Sequence, residues 1–221
     1  MTPPAAPDLA RHAPRPERWR LPSWRAALVG AAALVGGCAG EPSRDTPTEP
    51  AAVTEAPIAR ADTLLPGLAV RYWPVMIRNL RELAAWQGRT PAIVGPAIDG
   101  LDHVMGDGAV LTSGIKDGVA AEITGFIHLP AAGRYAFAAV SNDGVRVEIA
   151  GAVVVDDPDV HADRRSPPRA IVVRAAGWYP LRVLYFERRN TATLQLYWQP
   201  PDATAPAIVP AGALRRPRES G

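Results

Sequence analysis

The run GFIHLPAAGRYAFAAVSNDGVRVEIAGAVVVDD, residues 125–157, decides the fold. Within it Val145, Val147 and Ile149 alternate with Arg146 and Glu148, so one face of that segment is buried and the other is wet. Turn chemistry punctuates the run. Pro130 and the AAG turn separate AAEITGFIHL (120–129) from RYAFAAV (134–140). Asn142-Asp143-Gly144 then carries the Asx-Gly signal of a hairpin between that strand and VRVEIAG. AVVVD (152–156) follows, then a polar excursion over 157–169, then AIVVR (170–174). A turn at 175–177 opens WYPLRVLYFE (178–187), and a second at 188–190 opens TATLQLYW (191–198), with Leu194, Leu196 and Trp198 on one face. Short strands at close spacing predict an all-β fold, an antiparallel sandwich or barrel.

Outward from this core the pattern weakens. GLAVRYW (67–73) has strand composition, and Ile77, Leu80 and Leu83/Ala84 recur at three-to-four spacing, which predicts a short helix over 75–86 after Pro74. Residues 87–118 are rich in Gly, Pro and Asp and predict one or two short strands around 97–104. The folded part is expected to occupy 64–214, and the last residues, 215–221, read as a solvated basic tail.

The first 37 residues read as an address. Five Arg stand there against Asp8 and Glu17, and the uncharged stretch AALVGAAALVGG (26–37) follows them. As a helix those 12 residues span roughly 18 Å, short of a bilayer core of about 30 Å. A secretory signal peptide fits. Leu34-Val35-Gly36-Gly37-Cys38 resembles a bacterial lipobox, and Cys38 is the only cysteine in the 221-residue chain. The resemblance implies lipidation of Cys38 and anchoring by several acyl chains in the cell envelope, with the outer membrane favoured because Ala39 rather than Asp follows the cysteine. The competing reading is an unlipidated signal or short anchor with a small buried Cys. Residues 38–63, rich in Pro, Thr, Glu and Ala, predict a disordered tether, with a terminal segment packed on the domain as the alternative. One cysteine leaves no intramolecular disulfide framework. Beyond residue 37 the chain holds 19 basic and 20 acidic side chains, so nothing in the charge points to nucleic acid.

The ordered segments 125–157 and 172–201, opened by GLAVRYW and closed by IVPAGAL (208–214), resemble the PA-fourteen domain, the family named after the N-terminal fragment of anthrax protective antigen. The resemblance implies a β-sandwich or barrel that binds glycans in several members, or that serves as an accessory module on enzymes, adhesins and toxins. It also implies a calcium site in the sugar-binding members, where two adjacent Asp joined by a cis peptide follow the YAF-like strand. Here that pair stands as Asn142-Asp143. Asn142, Asp143 and Asn190 are therefore the candidate ligands for Ca2+, weakened by the missing carboxylate and opposed by Arg188 and Arg189. The plain alternative is a turn that Asx and Gly make unaided.

Arg188 and Arg189 can instead serve a ligand directly, because guanidinium groups pair with carboxylates and sugar diols, or they can be a solvated turn pairing Glu187 or Asp163. Asp157, Asp159, His161 and Asp163 alternate in one loop but fail the EF-hand pattern, with Ala162 where Gly is needed. Trp73, Trp178 and Trp198 read as core or half-buried, with Tyr179 and Tyr197 the better stacking platforms. No nucleophile elbow and no zinc-ligand spacing occurs, so no enzyme is expected. The expected function is a membrane-anchored module that holds a carbohydrate or envelope polysaccharide, with a protein-interaction role in an envelope complex as the alternative.

Overall fold

The computed structural model describes residues 51–53, 56–57 and 61–218. The signal segment, Cys38 and most of the expected tether lie outside them. The strands are β1 (Ala51–Ala52), β2 (Leu64–Pro66), β3 (Leu68–Trp73), β4 (Ile93–Ile98), β5 (Asp102–Gly106), β6 (Val119–Leu129), β7 (Gly133–Asn142) and β8 (Val145–Ile149). They continue as β9 (Ala152–Asp157), β10 (Arg164–Arg165), β11 (Arg169–Val173), β12 (Gly177–Glu187), β13 (Ala192–Gln199), β14 (Ala207–Ile208) and β15 (Leu214–Pro217). One sheet runs β1-β11-β7-β13-β14, with β10 on β7 and β5 on β13. The other runs β2-β15-β6-β12-β8-β9, with β3 on β6 and β4 on β3. Every pairing is antiparallel except β1 with β11.

The period-two reading places the core. Val145, Val147 and Ile149 of β8, Leu181, Val183 and Tyr185 of β12, Tyr135 and Phe137 of β7, and Leu194, Leu196 and Trp198 of β13 all point between the sheets and are buried. β6 pairs with β12 along its whole length, from Val119 opposite Glu187 to Leu129 opposite Gly177, which makes this pair the spine of its sheet. On the outer face of that sheet Trp73, Val75, Ile77, Leu80, Leu83, Ala120 and Phe186 form a second, smaller apolar cluster.

The helix expected over 75–86 starts later. Residues 75–79 are extended, a single 3-10 turn covers Leu80–Glu82, and α1 covers Leu83–Gln87. Asn79 sets that start: its side chain accepts the Arg81 N–H at 2.8 Å, and Glu82 reaches back to the Arg78 N–H at 3.1 Å, an arrangement close to a capping box. Val75 and Ile77 are buried as extended chain instead of as a helical stripe.

Three other expectations change. Asn142-Asp143-Gly144 does not close a hairpin: β7 lies in one sheet and β8 in the other, so the segment is a corner that carries the chain across the sandwich. The end of the expected tether is packed on the fold. β1 pairs with β11, the Val53 N–H donates to Val172 O at 3.0 Å, and the Val53 side chain is buried in the main core. The basic tail begins as a strand, since Arg215 and Arg216 of β15 lie opposite Pro66 and Leu65 of β2.

Candidate functional site

The corner at Asn142 is built from the end of β7, the end of β12 and the loops that follow them. Asp143 is buried and ties three segments together. Its Oδ1 accepts the His161 N–H at 3.0 Å, its Oδ2 accepts the Arg188 N–H at 2.8 Å, and its own N–H donates to Phe186 O at 3.1 Å. Asn142 contributes its carbonyl, which accepts the Tyr185 O–H at 2.5 Å, and its Nδ2, which donates to Thr191 Oγ1 at 3.0 Å. The Asn142-Asp143 peptide is cis. Gly144 is obligatory for packing: a Cβ there would sit 2.5 Å from the Phe186 ring and 2.7 Å from Pro158 O.

The 188–191 loop is fixed from its other side by the 115–118 segment. The Gly118 N–H donates to Arg188 O at 3.1 Å, and the Asn190 N–H donates to Asp117 Oδ1 at 3.0 Å. Asn190 adopts φ +79°, a left-handed conformation that Asn tolerates better than most side chains. The 157–164 loop is braced in turn. Asp157 is gripped by the Arg164 guanidinium and lies 3.3 Å from His161 Nε2, while Asp159 accepts from Asn79 Nδ2 at 2.6 Å.

Between these loops lies an open pocket of about 340 Å³, near the lower end of the roughly 300–1,000 Å³ typical of ligand sites. All five residues expected to bind ligand line it: Asn142, Asp143, Arg188, Arg189 and Asn190. The structure adds His161 from the 157–164 loop and Thr191 next to Asn190. Among the described residues neither Arg188 nor Arg189 forms an ion pair, and Arg188 Nε is buried without a hydrogen-bond partner.

Behind the pocket, Glu187 is fully buried and both its carboxylate oxygens lack a partner. Burial, reinforced by the charges of Asp117 and Asp143, pushes its carboxyl up to about 7. Burial likewise raises the Tyr185 hydroxyl, with Glu187 and Asp143 adding to it.

The donor set does not suit calcium. That ion takes six to eight oxygens, usually from several carboxylates. The pocket offers one carboxylate, already accepting a backbone N–H at each oxygen, and lines up two guanidinium groups against a cation. Among the described residues no group of three or more His, Cys, Asp or Glu side chains is placed to hold a metal. The stacking candidates separate: Trp73, Tyr179 and Trp198 are buried, whereas Trp178 and Tyr197 stay half-exposed on outer sheet faces. Each of those two has a guanidinium near its ring, Arg215 at 6.0 Å from Trp178 and Arg165 at 4.4 Å from Tyr197.

Two facing antiparallel sheets with a loop-bounded pocket at one end define a β-sandwich module of the kind that presents ligand loops from a rigid frame. The family model of the PA14 domain matches residues 96–212, and the chain belongs to that family. Solved structures agree on the fold. The PA14 domain of the MpAFP antifreeze protein shares 13% identity over 73% of this chain and 96% of its own, with a TM-score of 0.60. The PA14 sugar-binding domain of an RTX adhesin shares 16% identity over 69% and 99%, with a TM-score of 0.54. The epithelial adhesin 9 A domain of Candida glabrata, solved in complex with Galβ1-4GlcNAc, shares 12% identity over 76% and 96%, with a TM-score of 0.57. The chain spans about half the length (49%) of the anti-sigma factor domain-containing proteins that it also matches. No curated protein matches it.

Proposed function

We propose that the chain is a non-catalytic, envelope-anchored lipoprotein whose single PA14 domain holds a carbohydrate in the pocket between the 142–144 corner and the 188–191 loop. The observation that carries this reading is Asp143, which binds both flanking loops through their backbone N–H groups and so holds open a pocket lined with polar side chains. Two similar solved structures, a PA14 sugar-binding domain of an RTX adhesin and an epithelial adhesin domain in complex with Galβ1-4GlcNAc, support the class of ligand. Anchoring rests on Cys38 at the end of a signal-like segment, and Ala39 rather than Asp after it favours the outer membrane.

The full chain in detergent, applied to a glycan array, tests the binding. Saccharide retention that Asp143→Ala abolishes is the expected result, since that change frees two buried backbone donors and releases both loops. Loss of acyl labelling in Cys38→Ser, in cells fed a radiolabelled fatty acid, tests the anchor. The alternative, a protein-interaction module, draws on exposed apolar residues on and near the edge strand β4, including Ile93, Val94 and Trp86. A blank array together with one stoichiometric protein partner would favour it.

A further inference from the structure

We infer that the pocket binds a carboxylate-bearing saccharide directly on Arg188 and Arg189, with no bridging metal. The inference rests on the glycan reading above and specifies its ligand class.

Three features of the pocket carry it. Both guanidinium groups lack an internal carboxylate partner among the described residues, although carboxylates are close by: Asp143 spends its oxygens on backbone N–H groups, and Glu187 is sealed beneath. Arg188 is half-buried and its Nε has no acceptor within the fold, so the guanidinium gives up no internal bond at that atom when its accessible part takes a ligand oxygen. The lining also contains no phenyl, phenol or indole ring; Val160 and Ala162 supply its apolar surface. The one aromatic ring of the lining, the His161 imidazole, is buried at 5% side-chain exposure, so a neutral sugar finds no open aromatic face to stack on and charge-assisted hydrogen bonds are left to supply the affinity.

The remaining groups suit a sugar ring that carries the carboxylate. Asn190 presents its amide and Thr191, held by Asn142, presents its hydroxyl hydrogen to ring hydroxyls, and two adjacent guanidinium forks match the paired oxygens of a carboxylate. Of the other acidic residues near the loops, Asp157 is held by Arg164 and Asp159 by Asn79, while Asp117 and Asp163 are exposed, so solvent and salt weaken their opposition.

The full chain in detergent is titrated with oligogalacturonate and with the matching neutral oligogalactose, each with calcium and with chelator, at low and at high salt. The expected result is oligogalacturonate binding that survives chelator, weakens with salt and falls about tenfold to a hundredfold in the Arg188→Ala/Arg189→Ala pair. Arg189→Ala alone, on an exposed side chain, gives part of that loss with an unchanged melting curve. Arg188→Lys/Arg189→Lys keeps the charge and loses the fork geometry, and it recovers only part of the affinity. Preference for the neutral oligomer, or binding abolished by chelator, overturns the metal-free acidic ligand while leaving a glycan site standing. Silence toward every saccharide on the array overturns both.

Discussion

Glu187 is the carboxyl group on which the surroundings act most strongly. Its carboxyl is buried beside Asp143 without a hydrogen-bond partner, and it holds its proton up to about 7 instead of the usual 4.5. The folded state thus binds this proton more tightly than the unfolded chain does. The stabilisation is complete below pH 4.5 and is lost as the pH rises through about 7. Urea midpoints should accordingly fall between mildly acid and mildly alkaline buffer, by an amount worth about 2–3 kcal/mol. Glu187→Gln keeps the shape without the ionisation, so its midpoint should stay flat over the same range and exceed the parent's at alkaline pH. A parent profile as flat as the variant's would show that Glu187 is solvated in the folded chain.

Among the elements, five strands of one sheet share a line of charges on their outer face. Glu122 of β6 pairs with Arg71 of β3 at 2.6 Å and with Arg182 of β12 at 2.7 Å. Arg182 continues to Glu148 of β8 at 3.6 Å, and Arg146 of β8 links Glu148 to Asp156 of β9 at 2.9 and 3.4 Å. Glu122 is buried beneath two half-exposed arginines, so Glu122→Gln should cost about 1–2 kcal/mol at low salt and less at high salt, read from urea midpoints in both. Elements such as these were legible in the sequence wherever a face alternates: β6 to β9, β12 and β13 stand where their period of two puts them. The two-residue strands β1, β10 and β14 are too short to carry a period, and their pairing is decided by partners far along the chain. The corner at Asn142 was misread for a related reason. Asx-Gly chemistry serves a hairpin and a crossing equally, and only the pairing of β8 with β12 distinguishes them. The site was half legible. Asn142, Asp143, Arg188, Arg189 and Asn190 are contiguous with readable turns, whereas His161 and Asp117 reach the corner through contacts to backbone N–H groups that no spacing encodes.

At the scale of the whole molecule, the module begins earlier and ends later than its composition suggests. Val53 sits in the main core within a stretch of chain rich in Pro, Thr and Ala, and Pro57 packs against Gly177. Val53→Asp would place a carboxylate among apolar side chains, so an expected loss of about 2–3 kcal/mol in urea unfolding distinguishes a packed segment from a loose one, where the change would be silent. Among the described strands β1 pairs only with β11 and over only two residues, whereas β2, the next strand, lies beside the last strand of the fold. Tension applied through the residues before Ala51 therefore meets the weakest clasp first. The 13 residues from Ala51 to Thr63 have a contour of roughly 40–45 Å, so release of that clasp lengthens the chain before any pull reaches β2. A module held at one end and gripping a ligand at the other would yield there, like a shock absorber, with its sandwich and its pocket still intact.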